Sequence, residues 1–291
     1  MFDLRYHVAS LAAVFLALTI GIMVGVGISG SGLVEESERR TLNRQIERLQ
    51  SDLDAERNRS REQEAAGAFL GQGYDAVMRG RLSGKAVAIV SVGSLAPELQ
   101  SAIERTLRDA DGTIARVRAL AVPIRRDTLL AAVSAAPDPA TYAGDPALLE
   151  LGRDLGRELV AGGETPLWDA VAEDLVRQRQ GGNTRAVDAV VVARSARPQR
   201  GNTARFLTGL YEGLQGRVPV VGVETRTASP SAIGVFRRAR FSSVDAVETA
   251  AGRVALAVLL SGAESGHYGL RADADAILPP IAPVPSLEEG A

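Results

Sequence analysis

The chain has 291 residues, a net charge of −2 and no cysteine. The slight acidity argues against nucleic acid as the main partner, since nucleic-acid binders are usually basic. Without cysteine, disulfide bonds and thiolate chemistry are excluded. If an anchor and a helical neck are set aside, about 210 residues remain, which is enough for one well-buried α/β domain.

The segment from Val8 to Ile28 carries no charged residue, and it predicts one transmembrane helix within residues 1–30. As a helix this segment would span about 31 Å, the thickness of a hydrocarbon core. Ser10 and Thr19 are its only polar residues, and both can bond back to their own helix. A cleaved signal peptide is the alternative, but the apolar segment is too long and no A-x-A cleavage site follows it. We therefore expect an uncleaved anchor, whose orientation the flanking charges do not decide.

Small residues recur every four positions along this helix and so lie on one face. Gly21 and Gly25 have the spacing that lets two helix backbones approach closely in lipid. This pattern indicates a contact with a second copy or with a partner helix; the alternative is that small residues are simply common in this chain. The predicted packing residues are Ala13, Ala17, Gly21, Gly25 and Ser29.

Residues 31–66 predict a charged helix with a short coiled-coil seam. Leu42, Ile46, Leu49 and Leu53 are spaced 4, 3 and 4 apart, as in the a and d positions of a heptad. We interpret this seam as a homo-oligomeric coil or a coil with a partner membrane protein. The alternative is a solvated helix whose apolar stripe packs on its own domain.

Residues 67–278 predict a three-layer α/β domain built on a parallel sheet. Continuous apolar runs indicate buried strands, and Gly or Pro residues separate them from helical patterns. The segment 242–247 is expected to turn into a helix, and 279–291 is expected to be a proline-rich disordered tail. The predicted strands are 85–92, 113–122, 186–193 and 218–223, and the predicted helices include 97–110, 127–135, 147–161, 165–180, 203–214 and 248–261.

No sequence motif of an enzyme stands out in this domain. Gly93 is the single glycine in the turn after the first strand, which is not a dinucleotide fingerprint, and there is no G-x-S-x-G elbow. His267 is the only histidine of the globular part, and we expect it to be exposed in a loop. Arg237, Arg238 and Arg240 predict a solvated basic patch. We expect a non-enzymatic protein with no evident cofactor.

Both ends of the chain resemble one known family. The start, FDLRYHVASLAAVFLALTIGIMVGVG, and the later segments SSVDAVETAAGRVALAVLLSG and HYGLRADADAILPP resemble the actinobacterial MctB-like copper-transport envelope family. The resemblance implies an amino-terminal anchor, a domain outside the cytoplasm and a role in copper handling, and it leaves an outer-membrane location open. The family that the chain resembles also has a corynebacterial member associated with cell separation, and that member acts with a partner membrane protein.

The residues themselves offer few ligands for copper. Cu(I) prefers thiolate and thioether groups, and imidazole suits either oxidation state. His7 and Met23 would lie about 24 Å apart along one helix, so one helix cannot join them in a site. We retain two hypotheses: an indirect role in copper homeostasis, which the family resemblance implies, and a coiled-coil scaffold in a membrane complex that regulates cell-wall remodelling and cell separation. The candidate soft ligands are His7, His267, Met1, Met23 and Met78.

Overall fold

The computed structural model divides the chain into two compact units, residues 1–67 and residues 68–291. In the first unit the structure describes residues 4–29, 42–43, 45–50 and 52–53. In the second it describes residues 73–135, 139–182, 184–194 and 197–283. The predicted tail beyond residue 283 lies outside the described residues.

The first unit is dominated by one apolar helix, α1 (Leu4–Ser29). Within it, Tyr6–Gly27 is long and apolar enough to cross a membrane, and none of this span is buried in the structure. The Thr19 hydroxyl donates to the backbone oxygens of Phe15 and Leu16, at 2.7 and 3.0 Å. The helix therefore satisfies this polar side chain internally, as a lipid environment requires. Residues 42–43, 45–50 and 52–53 are also helical.

The second unit alternates strands and helices. Residues 73–78 are helical before the first strand, and short 3₁₀ turns occupy Val133–Ala135 and Pro139–Tyr142. The remaining elements are β1 (Ala86–Val92), α2 (Pro97–Asp109), β2 (Thr113–Leu120), α3 (Arg126–Ala132), α4 (Ala147–Ala161), α5 (Pro166–Leu175), β3 (Val176–Gln180), β4 (Ala189–Arg194), α6 (Gly201–Leu214), β5 (Val220–Val223), α7 (Ile233–Arg238), β6 (Ser242–Val244), α8 (Ala250–Leu260) and β7 (His267–Tyr268).

These strands form one seven-stranded sheet in the order β3-β2-β1-β4-β5-β6-β7. All neighbours are parallel except β2 and β3, which are antiparallel. The expected parallel sheet is thus confirmed in its coarse form, as a mixed α/β fold with a mostly parallel sheet. The four predicted strands correspond to β1, β2, β4 and β5.

Helices cover both faces of the sheet. In β1, Val90 and Val92 pack into one buried cluster with side chains of α4 and α6. Val87 and Ile89 point to the opposite face and pack with side chains of α2 and α8. Because both faces are buried, the central strands β1, β4 and β5 are mostly apolar, which explains why their sequences show nearly continuous apolar runs.

Three strands were not predicted. The helix expected over 165–180 ends at Leu175, and Val176–Gln180 forms the edge strand β3 instead. This segment pairs with the otherwise free edge of β2, a long-range contact that helical periodicity cannot reveal. The turn expected at 242–247 contains β6, and the loop expected at 267–270 contains β7. Strands of two or three residues are too short to show alternation.

Two of the helices, α4 and α6, cross with their backbones in close contact. Gly152 and Gly156 of α4 face Gly209 and Gly213 of α6, and a Cβ atom added at any of the four would overlap a backbone atom of the other helix. Each pair has the G-x-x-x-G spacing. The close approach lets Leu151 and Leu210 enter the same buried cluster beneath the crossing.

The helix crossing predicts that Gly209→Ala destabilises the second unit by about 2–4 kcal/mol, because the helices must separate. Gly234→Ala in α7 is the matched control, since an added Cβ there meets only the far end of Arg238 at 3.8 Å. Urea unfolding of the full-length variants, followed by near-ultraviolet circular dichroism, measures both. Equal midpoints for the two variants would contradict the crossing.

Candidate functional site

The predicted packing face of the membrane helix lies on α1. Ala13, Ala17, Gly21 and Gly25 are exposed, and Ser29 is the last residue of the helix. A Cβ atom built at Gly21 or Gly25 meets no atom within 4 Å. The face is therefore open to a second helix, and the contact itself stays a prediction.

The predicted seam residues lie on helical backbone. Leu42, Ile46, Leu49 and Leu53 are between 45% and 65% exposed. Four exposed aliphatic side chains on a helix are costly in water, where each would gain from burial. The structure places them without showing what covers them, and their role in a coiled coil stays a prediction.

In the second unit, polar side chains gather in the interior where β5 and β6 end and β7 begins. Glu224 directly follows β5, Asp245 directly follows β6, and His267 begins β7. Asp245 is fully buried, and Glu224 and His267 are each 2% exposed. Because β5 and β6 are parallel neighbours, their carboxyl ends bring Glu224 and Asp245 to the same edge of the sheet. The pairing of β7 with β6 places His267 beside Asp245. We call Glu224, Asp245, His267 and Arg271 the buried polar cluster.

Asp245 holds the segment that follows β7. Its Oδ1 accepts a hydrogen bond from the Leu270 backbone N–H at 2.7 Å, and its Oδ2 accepts one from the Arg271 N–H at 3.2 Å. Gly269, with φ of 147°, passes so close that a Cβ atom there would overlap the carboxylate. The carboxylate thus takes the place of water for a turn of backbone that would otherwise be unpaired.

Glu224 holds a second loop. Its carboxylate accepts hydrogen bonds from the Ser231 hydroxyl at 2.8 Å and the Ala232 N–H at 2.6 Å. Arg271 Nε lies 2.8 Å from Glu224 Oε1, so the buried negative charge has a positive partner. Arg271 also donates to the Ala228 carbonyl at 3.0 Å. Each carboxylate of the cluster is therefore met by donors, which a buried charge requires.

The expectation of an exposed His267 is wrong. Its Nδ1 lies 3.2 Å from the Ser243 hydroxyl, its Nε2 lies 3.3 Å from Asp245 Oδ2, and its backbone N–H donates to Asp275 at 2.8 Å. The pairing of β6 with β7 carries the ring into the core beside Asp245. An acidic residue directly after the apolar end of a strand was the sequence feature that could have indicated this cluster.

The expected basic patch is divided by the structure. Arg237 forms an ion pair with Asp273 at 3.5 Å, whereas Arg238 and Arg240 lie at the rim of a cavity beside α6. The sequence pattern had grouped the three because they are neighbours in the chain.

The buried polar cluster fits a structural role better than a copper site. Within the described ranges, no group of three or more His, Cys, Asp or Glu residues could hold a metal ion. His267 has one carboxylate beside it, and Met78 is fully buried in the apolar core. The cluster lacks the soft donor set that Cu(I) prefers.

Comparison with known proteins identifies the family. Residues 1–279 match the family described as "Copper transport outer membrane protein, MctB". The chain belongs to the MctB family. The proteins named "Copper transporter MctB" of Mycobacterium bovis and Mycobacterium tuberculosis are each 28% identical to it over 308 aligned positions, which cover 92% of this chain and 96% of the relative. The resemblance seen in the sequence is thus confirmed.

The match to the MctB family covers all of the described helices and strands. The match begins at α1 and extends past the buried polar cluster. The two carboxy-terminal segments that carry the sequence resemblance are the segments that Asp245 joins, since one contains Asp245 and the other contains Leu270 and Arg271. These MctB-like segments meet at a network that stabilises the domain.

We expect Asp245→Asn to destabilise the second unit by about 1–3 kcal/mol, because the amide keeps one acceptor oxygen for two backbone N–H donors. Asp273→Asn is the control, since Asp273 is 60% exposed and pairs with Arg237 at the surface; the expected loss there is below about 0.5 kcal/mol. Chemical denaturation of both variants measures the difference. A cost for Asp273→Asn as large as that for Asp245→Asn would contradict the structural role.

Proposed function

We propose that this chain is a membrane-anchored envelope protein of copper homeostasis that acts by assembly with other proteins. In this proposal it does not carry copper through its own domain, and it is not an enzyme. Membership of the MctB family supports the copper role. The lack of a metal-ligating group in the described residues supports an indirect one.

The observation that carries this proposal is the fully exposed apolar helix Tyr6–Gly27. Its 22 residues would span about 33 Å, which matches the hydrocarbon core of a bilayer. Water would not tolerate such an apolar surface in isolation, whereas lipid requires it. A single helix offers no pore, so copper passage would need further chains.

We infer the side of the membrane with support from the family. Its description as an outer membrane protein supports a second unit that lies outside the cytoplasm. The absence of cysteine is compatible with an oxidising compartment. We propose that α1 stays attached as an anchor, and that residues 31–66 connect it to an α/β domain in residues 67–278.

A non-enzymatic role is supported by the buried polar cluster. Asp245 and Glu224 already accept hydrogen bonds from backbone and side-chain donors, and Arg271 is held between Glu224 and a backbone carbonyl. A general base needs a free acceptor within reach of a substrate. The cluster instead uses its acceptors to fix two loops.

The second candidate function is a scaffold for cell-wall remodelling and cell separation. The specific observation in its favour is the exposed seam Leu42, Ile46, Leu49 and Leu53. The seam follows α1 in the chain, and α1 has its own open small-residue face. A coil and a membrane helix that both recruit a second chain would give a two-part interface, in which the second contact gains from the first.

Co-capture of two differently tagged full-length copies from gently solubilised membranes tests assembly. The seam variant changes Ile46, Leu49 and Leu53 to Ser. The control changes the neighbouring polar residues Gln45, Arg48 and Asp52 to Ser in the same helical segment. We expect the seam variant to lose the second copy or a co-purifying membrane protein, because it removes the apolar contact. If wild type, control and seam variant all purify alone, assembly through the seam is contradicted.

Copper measurements separate the two candidate functions. We expect the purified full-length protein to retain far less than one copper ion per chain after dialysis, and cells that lack the gene to accumulate copper. Elemental analysis by mass spectrometry measures both. Stoichiometric retention would contradict indirect action, and normal copper with defective cell separation in the deletion strain would favour the scaffold.

A further inference from the structure

A groove with apolar walls and arginine residues around it lies between α6 and α7. Its cavity of about 570 Å³ has the volume of a small-molecule site. Leu207 and Tyr211 of α6 form one apolar wall, and Val235 and Ala239 form the other. The Gln215 amide donates to the Ala239 carbonyl at 2.6 Å and closes one end. The apolar surface could receive a hydrophobic body of matching size.

The charges around this groove are mainly positive. Arg194, Arg238 and Arg240 line it. Arg238 and Arg240 are exposed, and neither guanidinium has a hydrogen bond or ion pair with another residue in the described ranges. Glu212 also lines the groove, but Arg153 already pairs with it at 2.6 Å. Arg238 and Arg240 therefore present positive charge that no residue in the described part of the chain neutralises.

A buried hydroxyl provides an independent observation. The Tyr211 side chain lines the groove, yet its hydroxyl is buried and has no hydrogen-bond partner among the residues that the structure describes. Burial raises the pKa of Tyr211 to about 12, and the nearby positive charge of Arg194 opposes part of that rise. A buried hydroxyl without a partner costs free energy, so this wall of the groove has an unsatisfied polar group.

The position of Arg194 in the sheet suits a ligand site. The chain leaves β1 towards β2 on one side and later places β4 on the other side of β1. Arg194 ends β4 and pairs in register with Val92, the last residue of β1. Ligands of open α/β sheets bind beyond the carboxyl ends of strands at such a reversal of strand order. One end of the groove lies there.

We propose that the groove between α6 and α7 binds a small organic anion, whose phosphate or carboxylate contacts Arg238 and Arg240 and whose apolar body lies against Leu207 and Val235. Arginine suits this task because its planar donors match both anions. The proposal goes beyond the assembly role and does not depend on it. A ligand there would bridge α6 and α7.

Calorimetric titration of the full-length protein in uncharged detergent tests this site with three probes. 1-Naphthyl phosphate and 1-naphthoate carry the same apolar body on different anions, and inorganic phosphate lacks the body. We expect saturable binding of at least one naphthyl anion, at least about tenfold tighter than inorganic phosphate, because the groove combines charge with apolar surface. The stronger of the two naphthyl probes identifies the preferred anion.

The double variant Arg238→Gln and Arg240→Gln should weaken that binding by about tenfold or more. The control Arg105→Gln and Arg108→Gln removes the same charge from exposed positions on α2, on the opposite face of the sheet, and should bind as wild type does. Thermal unfolding verifies that both variants fold. The proposal is overturned if wild type binds neither naphthyl anion saturably, or if the two double variants lose affinity equally.

Discussion

Buried carboxylates must be met by donors, and one end of the sheet is arranged around two of them. Glu224 and Asp245 follow adjacent parallel strands, so the fold brings their charges into a region without water. Backbone N–H groups and Arg271 supply the donors, and this requirement fixes the loops after β5 and β7. If either carboxylate lost its donors, an uncompensated charge would remain in the core. The last third of the domain depends on this pairing.

This network gives the family resemblance a physical meaning. The segments SSVDAV and HYGLR are separated in the chain by α8. Asp245 nevertheless joins them, because it accepts hydrogen bonds from the backbone of Leu270 and Arg271. The two segments contain β6 and β7, which form the last strand pair of the sheet. The proposed functions therefore rest on other surfaces: the apolar helix α1, the exposed seam, and the arginine-lined groove. The proposed role in copper homeostasis rests on membership of the MctB family, and we propose that the chain contributes a membrane-held surface for assembly.

The sequence predicted the features that repeat locally. Continuous apolar runs located β1, β2, β4 and β5, and the uncharged segment located α1. It could not predict β3, β6 or β7, because pairing with distant strands determines them. The burial of His267 also depends on that pairing. The G-x-x-x-G spacing indicates helix packing in the membrane helix, and the structure shows that α4 and α6 also use it in the domain. The groove joins residues from Arg194 to Arg240, and only the folded chain shows that they share one cavity.

We propose that an uncleaved α1 holds the α/β domain outside the cytoplasm. Because the chain has no cysteine, a single Arg105→Cys change creates a unique label site at an exposed position of α2. A membrane-impermeant maleimide applied to intact cells, followed by mass measurement of the intact labelled protein, reads location and cleavage together. The account predicts labelling in intact cells on a chain that still contains residues 1–30. Labelling only after permeabilisation, or a mature chain that lacks α1, would contradict it.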